Sequence, residues 1–182
     1  MKKLILTLIF SVLPIFVLFP QDESNGGILY GDNWAYITSA PEGWIMDQES
    51  MAHYGIYALF YERGKKFGYP TPIIYINTNK LKGPSDEALM EFIVSDLERN
   101  KISGSTITEL NKQFPEFTKY NHAIYYMYNI INSRGQYETI LYTRFKETGF
   151  LIVLNTPNIE TLNNLFPKME KVIEKVRFID KN

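Results

Sequence analysis

The spacing of apolar residues changes twice along the chain. Between residues 28 and 78, aromatic and β-branched residues come in short runs that prolines and glycines separate. These runs predict a strand over 28–39, a short strand from Trp44, and two antiparallel strands over 54–62 and 73–78. We expect the last two to form a hairpin, with a connecting loop rich in glycine and proline.

Two later stretches have the spacing of an α-helix. Ser85 precedes two acidic residues, which is typical of a helix start, and an apolar face follows, so we predict a helix over about 86–100. A second apolar face comprises Ile159, Leu162, Leu165, Phe166, Met169, Val172, Ile173 and Val176. Pro167 interrupts it, and we therefore expect either a kink or a short helix followed by a longer one.

Four further strand patterns lie between the two helices, over 105–112, 123–131, 137–146 and 150–155. Compact connections predict that the last three form a meander. Apolar residues on both faces of 123–131 predict a central strand that is covered on both sides. The fold class that follows is α+β, an antiparallel sheet of about seven strands flanked by two main helices, in the order of four strands, helix, four strands, helix.

The first 21 residues have the pattern of a secretory signal. Two lysines precede the uncharged run 4–19, which as a helix would span about 24 Å and is therefore short of a roughly 30 Å hydrocarbon core. No small-residue cleavage motif follows, so retention as an N-terminal membrane anchor is the alternative. We predict a signal peptide over 1–21, a flexible lead-in over 22–27, and a single domain over 28–182 that is periplasmic or secreted.

Composition narrows the range of functions. Of the 182 residues 45% are hydrophobic, and 12 Phe, 13 Tyr and 2 Trp exclude a disordered chain. The net charge of −1 implies neither nucleic acid nor an anionic membrane surface as a partner. The basic clusters 63–66 and 80–82 are predicted to lie at opposite ends of one hairpin. The chain has no Cys, which excludes disulfides, thiolate metal sites and cysteine nucleophiles.

One tract adds a family resemblance. Trp34 and Tyr36 precede the turn Pro41-Glu42-Gly43-Trp44. With this tract, the order of elements and the signal segment, the chain resembles the Mog1/PsbP-like superfamily, which includes exported proteins of the DcrB type. The resemblance implies an α/β sandwich and a non-enzymatic accessory or binding role, since the PsbP branch serves photosystem II, the Mog1 branch binds a small GTPase, and DcrB-like members are envelope proteins.

Motifs for catalysis and metal binding are weak. The two histidines, His53 and His122, are 69 positions apart and in no metal-binding frame, and Asp47-Gln48-Glu49 lacks the glycine turn of a calcium loop. Ser103-Gly104-Ser105 resembles a nucleophile elbow only superficially, because Gly104 suits a helix cap. We therefore predict no catalytic residue, no metal site and no cofactor.

Aromatic density marks the hairpin as the candidate binding surface. Tyrosine combines an apolar ring with a polar tip and is favoured at interfaces, so Tyr57, Tyr61, Phe67 and Tyr69 are the candidate residues, with an envelope protein as the partner. The competing interpretation is that these aromatics pack a core. Two other functions stay open: a hydrolase with dispersed carboxylates, and a carrier of a small apolar ligand. We expect membrane contact only if the N-terminal segment is retained.

Overall fold

The computed structural model describes residues 25–31 and 34–180. The predicted signal peptide and most of the predicted lead-in lie outside the described residues. The described elements follow in this order: β1 (Gly26–Tyr30), β2 (Ala35–Ser39), β3 (Trp44–Met46), α1 (Gln48–Tyr54), β4 (Ala58–Glu62), β5 (Ile73–Lys80), α2 (Asp86–Ile102), β6 (Thr106–Glu109), α3 (Pro115–Asn121), β7 (Tyr125–Ile131), β8 (Tyr137–Phe145), β9 (Thr148–Thr156), α4 (Ile159–Lys175) and β10 (Arg177–Ile179).

The strands form two antiparallel sheets. The large sheet has seven strands in the order β3-β4-β5-β9-β8-β7-β6, and the small sheet has the order β1-β2-β10. Helix α2 packs on one face of the large sheet, while α4 and the small sheet cover the other face. The predicted α+β architecture, with a seven-stranded antiparallel sheet and two main helices, is thus confirmed.

Alternation along the strands creates two separate cores. On β9, Val153 points to the α2 side, where it joins Leu89 and Ile93 of α2. Its neighbour Ile152 points to the opposite side, where Met169 and Val172 of α4 pack with the aromatic residues of β2. All six side chains are buried. Because both sheet faces are covered, the central strands can be apolar along their whole length.

Several predicted elements differ in detail. The single strand predicted over 28–39 is wrong, because Gly31 ends β1 and the segment folds into the hairpin β1–β2. β7 lies next to the edge strand β6, so the prediction that it is central is wrong. It is covered on both faces as predicted, because Met127 packs in one core and Ile130 in the other. The short helix followed by a longer one is also wrong, since α4 is one helix with the exposed Pro167 inside it.

The loops of the large sheet gather at two ends. One end is formed by residues 40–43, 63–72, 103–105 and 132–136. We call it the proximal end, because the described chain begins beside it at Asn25. The opposite end, which contains the β8–β9 turn, is the distal end. As the hairpin β4–β5 predicts, the basic cluster 63–66 lies at the proximal end and the cluster 80–82 at the distal end.

Candidate functional site

The loop 63–72 is a well-defined segment that joins β4 to β5 at the proximal end. Gly64 and Gly68 have φ angles of +82° and +125°, which residues with a Cβ rarely adopt. Thr71 fastens the second half of the loop, since its N–H donates to the carbonyl of Gly68 at 2.8 Å and its hydroxyl to the carbonyl of Lys66 at 2.8 Å. These bonds give the loop's side chains fixed positions.

Two of the four candidate residues lie together on this loop. The side chain of Tyr69 is 78% exposed. Phe67 is half-buried, and its ring meets the ring of Tyr54 edge-on at 4.9 Å between centroids. Tyr54, at the end of α1, is 63% exposed. We call Tyr54, Phe67 and Tyr69 the aromatic surface.

The other two candidates lie elsewhere. Tyr57 lies at the distal end, where its ring packs edge-on against Trp34 at 4.9 Å. Tyr61 is only 7% exposed, because its ring packs within the larger hydrophobic cluster and its hydroxyl bonds to Asp47 at the start of α1. The expectation that all four residues share one surface therefore fits only Phe67 and Tyr69, and Tyr61 follows the competing interpretation of an aromatic that packs a core.

Tyr61 helps to position the helix that carries Tyr54 of the aromatic surface. Its hydroxyl donates to Oδ2 of Asp47 at 2.6 Å, and the backbone N–H of Ser50 donates to Oδ1 at 2.9 Å, so Asp47 is the N-cap of α1. Burial acts to raise the pKa of Asp47, but these hydrogen bonds outweigh it and the pKa is lowered. Burial and the bond to Asp47 raise the pKa of Tyr61 to about 12. This pair fixes α1, which carries Tyr54.

A cleft of 560 Å³ lies on the α4 side of the loop. Its apolar lining comes from Trp44, Leu165 and the two prolines of the loop, and four charged residues surround them: Glu42, Glu62, Lys65 and Lys168. Nζ of Lys168 donates to the backbone carbonyl of Glu42 at 2.8 Å and so joins α4 to the turn before β3. The volume is within the range of small-molecule sites.

A second cleft of 200 Å³ lies on the α2 side of the same loop. Phe67 and Tyr69 line it together with the amides of Gln136 and Asn155. Pro70 and Thr71 border both clefts, so the loop is the wall between them. The proximal end thus combines exposed aromatic rings with recesses on either side, an arrangement typical of interfaces that accept anchor side chains.

Two carboxylates approach each other under α2. Oδ2 of Asp96 accepts a hydrogen bond from the hydroxyl of Tyr142 at 2.7 Å, and Oε1 of Glu138 accepts one from the side-chain amide of Asn155 at 2.6 Å. Burial raises the pKa of Glu138, and the charge of Asp96 adds to this although the bond from Asn155 opposes it. Because each carboxylate holds neighbouring elements together, the pair has a structural role.

The remaining motifs of the sequence also have structural places. Gly104 has a φ of +84°, its N–H donates to the carbonyl of Lys101, and the N–H of Ser105 donates to the carbonyl of Asn100, which together form a Schellman cap. His122 ends α3 and does not start a strand. The side chain of His53 lies outside the described part of the chain.

Within residues 25–31 and 34–180, no three His, Asp or Glu side chains form a group that could hold a metal ion. None of the helices in those ranges combines the length and the apolar character that crossing a bilayer requires.

Comparisons with known proteins bear on the fold. No family model matches the chain, and no curated protein matches it. PsbP (CyanoP) of the cyanobacterium Synechocystis sp. PCC 6803 is 11% identical over 87% of this chain and 94% of its own, with a TM-score of 0.45. The Ran-binding protein Mog1p of Saccharomyces cerevisiae is 13% identical over 86% of this chain and 97% of its own, with a TM-score of 0.47.

The chain is thus similar to one PsbP structure and one Mog1 structure over most of its length. At these identities the likeness concerns the fold alone. The narrower resemblance to proteins of the DcrB type stays a prediction.

Sequence reasoning missed the residues that form the larger cleft. Trp44 and Leu165 were assigned only to a strand and to a helix face, and Lys168 carried no signal at all. Their meeting depends on the loop 63–72 folding towards α4, and no local pattern encodes that contact. Tyr54 was part of the aromatic run but was assigned to a strand, whereas it ends a helix.

Proposed function

We propose that this protein is an exported, non-enzymatic domain of the cell envelope that binds another protein through the aromatic surface. The single observation that carries the proposal is the side chain of Tyr69, which is 78% exposed on a hydrogen-bonded loop between two clefts. Large aromatic rings held on ordered backbone lose little entropy on binding, and Tyr is enriched among the residues that dominate interface energy. Export is inferred from the signal pattern of residues 1–21.

The arrangement of polar groups supports a non-enzymatic role. Asp47 caps a helix, Asp96 binds Tyr142, and Glu138 binds Asn155, so these carboxylates hold elements in place. A hydrolase with dispersed carboxylates requires two acids that face a substrate in one cleft. Glu42 and Glu62 line the larger cleft, but Lys65 and Lys168 line it with them, which suits the charged rim of a protein interface better.

The partner can be captured by photo-crosslinking in the envelope of the native host. We expect a protein adduct with Tyr69→p-benzoylphenylalanine and none with the same substitution at Tyr120, which is 51% exposed on α3 at the distal end. Against the captured partner, Tyr54→Ala with Tyr69→Ala should weaken binding about 30-fold, as for interface hot spots, and Tyr120→Ala should leave it within two-fold. Equal adducts at both positions would contradict the proposal.

One observation favours a second candidate, the carriage of a small apolar ligand. The cleft of 560 Å³ has Trp44, Pro70, Pro72 and Leu165 in its lining, and it is large enough for such a ligand. An apolar fluorescent probe such as anilinonaphthalenesulfonate should then bind the native protein, and Leu165→Trp should abolish this binding by filling the cleft. Probe binding that Leu165→Trp leaves unchanged would remove this candidate.

A further inference from the structure

The described chain enters the domain at the proximal end. The backbone carbonyl of Asn25 accepts from the N–H of Ala40 at 2.6 Å, and its side chain accepts from Nη2 of Arg63 at 3.3 Å. Phe19, the last residue of the uncharged run, is six residues earlier. Six residues reach at most about 21 Å, so a membrane that held this run would lie within that distance of Asn25, whose side chain contacts Arg63 of the loop 63–72.

The proximal end is also locally basic. Arg63, Lys65 and Lys66 lie on the loop 63–72, and Arg134 lies in the β7–β8 turn; all four are exposed. Within residues 25–31 and 34–180, no carboxylate is within 4.0 Å of the charged groups of Lys65, Lys66 or Arg134. These three charges are therefore available to anions outside the protein.

The net charge of the whole chain is −1, but it does not cancel this local charge within one Debye length of the surface. At 0.1 M salt the Debye length is about 10 Å, so acidic residues at the distal end are largely screened. Two acids of this end, Glu42 and Glu62, line the cleft on the α4 side of the loop. The segment 63–69 itself contains three basic residues and no acidic residue.

Exposed apolar side chains accompany these charges. Tyr69 is 78% exposed, and Ile102, at the end of α2, is 87% exposed. Tyrosine is favoured at the headgroup level of membranes because its ring is apolar and its hydroxyl is polar. Basic side chains can extend along apolar surface and keep their charge among phosphates.

From these features together we infer that the proximal end of the domain lies on a membrane surface that contains anionic phospholipids, with Lys65, Lys66 and Arg134 among the headgroup phosphates and Tyr69 at headgroup depth. This goes beyond protein binding and rests on the proposed export with the N-terminal segment retained, which would hold the domain beside such a membrane. Each basic residue at an anionic surface strengthens membrane binding about five-fold.

Orientation on the membrane is testable because the chain contains no Cys. The full chain is labelled with a polarity-sensitive fluorophore at Tyr69→Cys or, as the distal control, at Glu147→Cys. Vesicles of phosphatidylcholine with phosphatidylglycerol should shift the emission of the label at position 69 to the blue and leave the label at position 147 unchanged. A shift at both positions, or at neither, would overturn the inference.

The charge contribution has a matched control in the two basic clusters at opposite ends of the hairpin. Lys65→Gln with Lys66→Gln should weaken binding to the anionic vesicles about 25-fold, whereas Lys80→Gln with Lys82→Gln, the same change in net charge, should leave it within two-fold. Equal losses in the two double variants, or equal binding of the wild type to pure phosphatidylcholine, would overturn it. A protein adduct at position 69 without vesicle binding would leave the proposed function standing and remove only the lipid contact.

Discussion

At the scale of single residues, Tyr36 and Tyr142 differ in whether the buried hydroxyl has a hydrogen-bond partner. Both side chains are fully buried. The hydroxyl of Tyr142 donates to Asp96 at 2.7 Å, whereas the hydroxyl of Tyr36 has no hydrogen-bond partner in the described structure. Burial raises the pKa of both hydroxyls, so both are protonated at neutral pH.

We predict opposite results for the two tyrosine-to-phenylalanine changes. Tyr36→Phe keeps the ring and removes a buried polar group without a partner, so the free energy of unfolding should stay the same or rise by up to about 1 kcal/mol. Tyr142→Phe removes a bond to a carboxylate and should lower it by about 1–2 kcal/mol. Urea denaturation of both variants measures the difference, and a loss in Tyr36→Phe as large as in Tyr142→Phe would show that Tyr36 has a partner.

At the scale of elements, α2 is attached to the sheet by a narrow apolar contact. Leu89 and Ile93 are its buried residues, whereas Val94 is 47% exposed. We therefore predict that Ile93→Ala lowers the free energy of unfolding by about 2–4 kcal/mol, because it leaves a cavity between helix and sheet, and that Val94→Ala lowers it by less than 1 kcal/mol. Chemical denaturation of the two variants checks this, and similar losses would mean that the face of α2 is misassigned.

The polar side of the same contact predicts a pH dependence. Burial and the charge of Asp96 raise the pKa of Glu138 in the folded state above its pKa in the unfolded state. The free energy of unfolding therefore falls as the pH rises from the unfolded-state pKa to the folded-state pKa, because the unfolded state loses this proton more readily. Below that interval Glu138 is protonated in both states and this loss is absent.

Glu138→Gln should therefore be more stable than the wild type at pH 7. The neutral amide keeps an acceptor for Asn155 and removes the buried charge. The gain, of a few degrees in melting temperature, should disappear as pH falls to about 4. A gain that is constant with pH would show that the charge of Glu138 is not its cause.

The sequence predicted the long, periodic elements and missed the short ones. Ser85 at a helix start and the apolar face of α4 are local signals, and the structure has both helices. The helices α1 and α3, of seven residues each, were missed because a single capping residue, Asp47 or Pro115, was their only signal within aromatic sequence. Strand β10 has three residues, too few for any periodicity.

At the scale of the whole molecule, the candidate site depends on contacts that no local pattern contains. Phe67 and Tyr69 were predicted because aromatic density is visible in the sequence. The burial of Tyr61 could not be predicted, because it depends on Asp47, which is 14 residues away in the sequence. The larger cleft likewise requires α4 to meet a loop about 100 residues earlier in the chain.

Phe178 of β10 is one of the aromatic residues that join the two sheets. The ring of Phe178 lies 5.1 Å from that of Phe145 and 4.7 Å from that of Phe150, both in the large sheet, while its backbone pairs with β2. We predict that Phe178→Ala lowers the free energy of unfolding by about 3 kcal/mol and that unfolding stays a single transition.

Calorimetry and circular dichroism provide the measurement for Phe178→Ala. Ile37 of β2 is 44% exposed, so Ile37→Ala is the control and should lower the free energy of unfolding by less than 1 kcal/mol. Two resolved transitions in the wild type would contradict the view that the two sheets form one cooperative unit.

Strand β2 receives one neighbour, β1, from the start of the domain and the other, β10, from its end. During synthesis β2 therefore waits for residues 177–179, which leave the ribosome after every other strand of the described chain. Until then the rings of Phe145 and Phe150 lack the cover that Phe178 provides. A nascent chain cannot complete such a core before its last strand is made, so the order of the strands places the closing step of folding at the end of synthesis.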